Sequence, residues 1–556
     1  MVGPLWKRRG QGGLGMISSE LTISFVVCCL LFAEAGAQTS QPASHPAEQS
    51  DRLPASLQGT VEKAASTSHE IIIAGKRVRY RATAANMPMK DENGKLKGTM
   101  FFVAYEKEEP RSPVPGTIDP ARTAPVSAID TQPSLIGRSE RPITFVFNGG
   151  PGAAAVWLHL GTAGPMHVGL GANGEPPPPP YRLIDNPFCW LDATDLVFID
   201  PVGTGFSRPA EGEKAEQFFG VREDIQWVAD FIRLYITAYE RWPSPKFLAG
   251  ESYGTTRAAG LSEYLIDRHG IALNGIVLIS AVLDFQTLSP SDSNDLPYPL
   301  YLPSYAATAW YHKKLPADLQ VDLKATLREI EDWSLTTYSI ALARGATLPS
   351  EQRQTVVSRL ARYTGLPAAL IDQHNLRIAP GVFRKYLLAS ERQVIGRFDS
   401  RLRGFDAERG SNSAGYDPGL AEYLAVYSST FNDYVRRVLK YESLLPYEVL
   451  SGRVHPWKMT EAGQGYLNVA DNLRSAMIKN PHLRILVASG YFDLATPYYA
   501  TVYTLNRLDL PPALRANIST VVFMGGHMMY HHEPSRERLH NEVVAFIGGS
   551  INSQKR

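Results

Sequence analysis

Residues 247–254 read Phe247-Leu248-Ala249-Gly250-Glu251-Ser252-Tyr253-Gly254. A short apolar run of strand type leads into Gly-x-Ser-x-Gly, and the stretch beyond it, with Ala258, Leu261 and Leu265, has helical spacing. Strand, tight turn and helix in that order describe a nucleophile elbow. Small residues at the first and last positions of the pentapeptide permit a strained turn that exposes the central hydroxyl. A plain glycine-rich turn has no need of a serine at its centre. The helix that begins beyond Ser252 also aims backbone N–H groups at the reacting centre.

A serine hydroxyl is a weak nucleophile without a base, so this motif calls for a histidine and an orienting acid. Both are expected later in the chain, in the order acid then histidine, at the ends of the last strands. Asp493 follows the apolar run LRILVA, residues 483–488, and His527 follows the β-like run TVVFM, residues 520–524, in Gly525-Gly526-His527. His531, His532 and His540 come soon after. His527 and His531 have the i, i+4 spacing of a metal pair, but no His-Glu-x-x-His pattern or cysteine cluster accompanies them, so no metal or other cofactor is expected. The three extra histidines read as a polar surface around a last helix over residues 536–547.

Asn148-Gly149-Gly150-Pro151-Gly152 directly follows a strand-like run at residues 143–147. Glycines here let a backbone N–H approach a tetrahedral oxyanion that a side chain would block, and the N–H of Tyr253 is the natural second donor. The loop lacks the Gly-Lys-Ser/Thr ending of a phosphate loop.

Outward from these motifs, strand-like runs at residues 143–147, 196–199, 247–249, 275–281 and 483–488 alternate with helical or loop segments. Short strands apolar on both faces predict a mostly parallel sheet covered by helices, an α/β fold. Antiparallel strands at one edge are predicted from residues 70–80 and 98–105, and residues 111–141 are loop-like. Strand patterning disappears over residues 301–463, where helical stretches at 316–333, 351–363, 367–374 and 420–441 replace it. Because strand patterning then resumes, this region reads as a mainly helical cap inserted between a first core part, residues 71–300, and a second, residues 464–550.

The N-terminus has the three parts of an export signal. Lys7, Arg8 and Arg9 precede the apolar run LTISFVVCCLLF, residues 21–32, and Ala35-Gly36-Ala37 offers a cleavage site before Gln38. The run is shorter than the roughly 20 residues a spanning helix needs, so a signal peptide over residues 1–37 and no stable membrane span after its removal are expected. Residues 38–70 read as a flexible lead-in, and the mature protein as periplasmic or extracellular. Of 556 residues only three are cysteine, and Cys28 and Cys29 lie in the signal. Cys189 then has no intramolecular partner. The 56 basic and 55 acidic side chains give no excess of one sign for nucleic acid. Nothing in the sequence sets an oligomeric state.

Phe147-Asn148-Gly149-Gly150-Pro151-Gly152, then Asp200-Pro201-Val202-Gly203-Thr204-Gly205-Phe206-Ser207, then Gly250-Glu251-Ser252-Tyr253-Gly254 and Gly525-Gly526-His527-Met528 together resemble the serine carboxypeptidases, family S10 of the α/β-hydrolase peptidases. Asn186-Pro187-Phe188-Cys189-Trp190 also resembles the family's Asn-Pro-aromatic-x-Trp. The resemblance implies an α/β-hydrolase fold, peptide substrates and a serine-type carboxypeptidase acting through an acyl-enzyme. It makes Ser252 the nucleophile, His527 the general base and acid, Asp493 its orienter, and Gly150 and Tyr253 the oxyanion donors. Asn148 and Glu251 match the residues that hold the substrate's terminal carboxylate in the family.

The family's further Trp and second Glu are replaced here by Val146 and, by ungapped counting, Thr162. Two neighbouring carboxyls raise one another's pKa, so loss of the partner predicts a lowered pKa for Glu251 and activity shifted toward neutral pH or relaxed selectivity. An esterase or acyltransferase on the same triad, and a catalytically silent binding scaffold, are the competing readings. Side-chain preference is expected to depend on the cap.

Overall fold

The computed structural model describes residues 64–108, 140–408, 410–460 and 465–552, all within one compact unit, Pro42–Arg556. The expected signal peptide, most of the lead-in and most of the proline-rich loop before residue 140 lie outside the described residues.

The centre is a ten-stranded sheet. Its antiparallel edge comprises β1 (Ala65–Ile73), β2 (Lys76–Lys90) and β3 (Leu96–Lys107), and its parallel part begins with β4 (Ile143–Phe147). A separate ribbon pairs β5 (Met166–Val168) with β6 (Leu183–Asp185). The sheet continues with β7 (Asp195–Ile199), β8 (Arg208–Pro209), β9 (Lys246–Glu251) and β10 (Gly275–Ile279). A second small ribbon pairs β11 (Gln393–Ile395) with β12 (Arg403–Phe405), and β13 (Arg484–Gly490) and β14 (Ile518–Phe523) complete the sheet. The order is β1-β2-β3-β7-β4-β9-β10-β13-β14, with β8 pairing β3 and the run from β7 to β14 parallel.

Residues 65–70, placed by composition in the lead-in, instead begin β1. Its polar Ser, Thr, His and Glu alternate on a strand exposed along one face, so apolar patterning does not reveal it.

Side chains of the parallel strands divide between two apolar layers with the two-residue period of a strand. Val146, Leu196, Phe198, Phe247, Ala249, Val277, Ile279, Leu486 and Ala488 face one layer. Phe145, Phe147, Val197, Leu248, Ile276, Leu278, Ile485 and Val487 face the other. Burial on both faces explains why these strands are unbroken apolar runs, and this architecture is that of an α/β hydrolase. A third apolar cluster is built by helices Pro297–Tyr311, Leu323–Trp333 and Ser350–Thr364, with Phe492 and Leu494 from the loop after β13 and Tyr498 at the start of helix Tyr498–Asn506. Helix Pro418–Arg437 instead packs Tyr423, Val426, Tyr427 and Phe431 against the first layer of the sheet.

Candidate active site

Parallel strands deliver their C-terminal ends to one edge of the sheet, where α/β proteins bind ligands. Strand β9 ends at Glu251, and Ser252 turns the chain into helix Tyr253–His269 with φ 59° and ψ −128°. A left-handed φ at a non-glycine residue is costly and concentrates at functional sites. Hydrogen bonds hold the turn: Ser252 N–H donates to Ile279 O at 3.0 Å, and Thr255 N–H to Ser252 O at 2.8 Å. The flanking glycines are required by crowding. A Cβ on Gly250 would stand 2.3 Å from Gly254 O, and one on Gly254 2.9 Å from Phe147 O.

The Asn148–Gly152 loop at the end of β4 lies directly on this turn. A Cβ on Gly149 would meet Tyr253 N at 2.4 Å, and Gly150 adopts φ +98°. Arg257, one turn into the helix, donates from Nη1 to Asn148 O at 2.6 Å and from Nε to Asp224 Oδ2 at 2.8 Å. This buried ion pair fixes the spacing between loop and turn. The N–H groups of Gly150 and Tyr253 have no acceptor among the described residues, so both remain available to an oxyanion.

Asp493 follows β13 and is fully buried. Its Oδ1 accepts from Ala495 N at 2.7 Å and Thr496 N at 2.9 Å, and its Oδ2 from Thr496 Oγ1 at 2.7 Å and His527 Nδ1 at 2.8 Å. Donation from Nδ1 leaves His527 Nε2 as the free base. Burial opposes a charge on His527, but the Asp493 carboxylate, its hydrogen bond and the Glu251 carboxyl outweigh burial and raise the pKa. Ser252 Oγ makes no hydrogen bond among the described residues, a usual state before substrate tightens such contacts.

Residues that the motifs do not reveal also build the site. Ser280, just past β10 with φ 51°, donates from Oγ to His527 O at 2.6 Å and from N to Ala488 O at 2.8 Å, and its carbonyl oxygen lies 3.0 Å from Thr496 Oγ1. It lies between the elbow and the acid and base turns. Strained φ at a serine is the one unusual feature, and nothing in the sequence announces it. From the loop between β11 and β12, Phe398 O accepts from His527 N, and the Phe398 ring centre lies 5.1 Å from that of His527.

Asn148 and Glu251 are brought together: Asn148 Nδ2 donates to Glu251 Oε1 at 3.1 Å, and Asn148 Oδ1 accepts from Leu158 N at 3.0 Å. Loss of a partner acid does not leave Glu251 with the pKa of an ordinary carboxyl. Burial pushes it up to about 7, against smaller opposing effects of the His527 charge, Tyr530 and Asn148. Desolvation of one carboxyl suffices without a second acid. Val146 is a core residue of β4, and Thr162 is buried with its carbonyl bound by Asn186 Nδ2 at 2.6 Å.

The histidines after His527 are not all surface groups. His531 is buried and shares a 2.7 Å hydrogen bond with Tyr427 Oη, and buried His540 contacts Asp192 at 3.1 Å. The first layer of the sheet reaches them because helix Glu533–Asn552 packs its inner face on that layer. No group of metal-capable side chains forms among the described residues. Cys189 is buried and unpaired, with burial raising its thiol pKa far above the ordinary value.

The family sequence model described as "Serine carboxypeptidase" matches residues 133–528. The chain belongs to the serine carboxypeptidase family. It is therefore a serine hydrolase of a peptidase family. Among individual relatives, it is similar to "Putative serine carboxypeptidase-like 30" of Arabidopsis thaliana, 23% identical over 67% of this chain and 69% of the relative. "Serine carboxypeptidase-like 31" of the same plant is 25% identical over 67% and 69% of the respective chains. "Carboxypeptidase Y homolog" of Arthroderma benhamiae is 29% identical over 24% of this chain and 25% of its own. Among solved structures, a thermostable carboxyl esterase from Bacillus coagulans is 14% identical with a TM-score of 0.33, covering 84% of this chain and 99% of its own. No helix of this serine carboxypeptidase family member, among the described residues, is long and apolar enough to cross a membrane.

Proposed function

We propose that this enzyme removes C-terminal residues from peptides through an acyl-enzyme on Ser252. His527 Nε2 takes the Ser252 proton as Oγ attacks the scissile carbonyl carbon. The tetrahedral oxyanion then accepts from the N–H groups of Gly150 and Tyr253, each donor worth about 10²–10³ in rate. His527 gives the proton to the departing amine nitrogen, the C–N bond breaks, and the acyl group remains on Oγ. Water, deprotonated by His527, attacks the ester, and collapse returns the proton to Ser252. Asp493 orients the imidazole throughout and stabilises its charge.

Asn148 and a protonated Glu251 hold the substrate's terminal carboxylate, which makes the enzyme an exopeptidase. The observation that carries this reading is the 2.8 Å contact of His527 Nδ1 with Asp493 Oδ2, at strand ends beside the Ser252 elbow. A fluorophosphonate probe tests it: a single adduct on Ser252 in the folded protein, abolished in Ser252→Ala, is expected. An unlabelled Ser252 favours a silent scaffold.

The N-terminal charge and apolar pattern further supports export with cleavage after Ala37. N-terminal sequencing of protein recovered outside the cytoplasm is expected to begin at Gln38, and an intact Met1 there contradicts it.

A further inference from the structure

Two polar atoms close to the elbow are buried and lack a hydrogen-bond partner: Glu251 Oε2 and Tyr530 Oη. Leaving such a group unmet costs about 1–3 kcal/mol, and native structures retain few without a functional reason. Tyr530 lies in the Met529–His531 turn just after His527. Its hydroxyl is near enough to the Glu251 carboxyl to favour the ionised form, though outside hydrogen-bonding geometry.

The Tyr530 ring packs directly against Gly161. A Cβ on Gly161 would stand 2.4 Å from Tyr530 Cε2 and 2.7 Å from Tyr427 Oη. The next residue is Thr162, whose Oγ1 is likewise buried and unpartnered. Oε1 of Glu251 is occupied by Asn148, so Oε2 is the oxygen left to be met.

We infer that Tyr530 is a positioning residue for Glu251: with a substrate carboxylate seated, its hydroxyl donates to Glu251 Oε2 and fixes the carboxyl that recognises that carboxylate. The inference rests on the carboxylate-binding role proposed for Glu251. A hydroxyl donor favours an ionised carboxylate without adding charge. The other groups facing Glu251 are Asn148 at the end of β4, Asp493 after β13, His527 after β14 and Tyr427 on helix Pro418–Arg437.

The test is the ratio of kcat/KM for two N-blocked peptides that differ only in ending with a free carboxylate or a carboxamide, followed from acid to alkaline pH. In the wild type the ratio is high while Glu251 is protonated and falls as it ionises. Tyr530→Phe is expected to move that fall about one pH unit upward. In a Glu251→Gln background the same substitution leaves the ratio unchanged, because its route of action is gone. Its melting temperature does not fall, since the lost hydroxyl had no partner. An unmoved midpoint, an equal effect in the Glu251→Gln background, or a lowered melting temperature with uniform loss on both peptides overturns the inference alone. A wild type with no preference for the free carboxylate at any pH overturns the carboxypeptidase reading and this inference with it.

Discussion

The backbone N–H of His527 donates to Phe398 O at 2.5 Å, so the candidate general base is tied to the loop between β11 and β12. The same loop reaches the acid turn from both sides. Leu494 N donates to Arg397 O at 2.9 Å, and Ser400 N to Phe492 O at 3.0 Å. The loop between β11 and β12 therefore helps to align the Asp493–His527 pair.

Gly526→Ala tests that alignment. A Cβ there would meet Phe398 O at 2.4 Å and Asp399 Cα at 2.6 Å, both with little freedom to retreat. A displacement near 1 Å costs about 10²-fold in rate. A fall in kcat of that order, with KM changed much less, is expected from steady-state kinetics.

Ser280→Ala leaves the buried His527 carbonyl without its 2.6 Å donor. Loss of about 1–3 kcal/mol in stability is expected from denaturant titration, together with slower fluorophosphonate labelling. Unchanged labelling would show that Ser280 supports the fold but not the reacting geometry.

Much of the site is readable in the sequence because its parts are local and ordered along the chain. Ser252, Asp493 and His527 each follow an apolar strand-like run, and Gly150 belongs to a contiguous glycine loop. Ser280 and Phe398 escape that reading, since each acts through contacts with residues more than 100 positions away and carries no motif of its own. Glu251 shows a different gap. Its chemistry depends on desolvation, which the presence or absence of a second acid in the sequence does not determine. His531 is missed as a buried group because no local pattern shows that Tyr427 will receive it.

Activity on free-acid peptides is expected to be bell-shaped around neutral pH. Catalysis requires neutral His527, whose pKa is raised, so activity climbs as pH rises through that value. Carboxylate recognition requires protonated Glu251, pushed up to about 7, so activity falls as that group ionises. Glu251→Gln is expected to remove the alkaline limb of the profile and keep the acid limb.

Stability follows the same linkage. For Glu251 the folded value lies above its ordinary 4.5, so the folded state binds the proton more tightly and stability falls as pH rises from about 4.5 to about 7. The raised His527 pKa acts in the same sense: its contribution is complete below its ordinary 6.5 and is lost as pH rises through the folded value. Melting curves of Glu251→Gln and wild type are expected to diverge over the Glu251 window, with the variant gaining relative stability toward pH 7.

Arg257→Ala leaves Asp224 buried without its 2.8 Å partner and releases Asn148 O. Breaking one side of a buried ion pair costs about 3–5 kcal/mol. A clear drop in melting temperature, with impaired labelling of Ser252 in the fraction that remains folded, is expected.

The most direct test of the central claim is mass spectrometry of a mixed peptide library after incubation with the wild type and with Ser252→Ala. Stepwise loss of single C-terminal residues from free-acid peptides, absent with Ser252→Ala, is the predicted result. Internal cuts, N-terminal trimming or equal trimming by Ser252→Ala would contradict it.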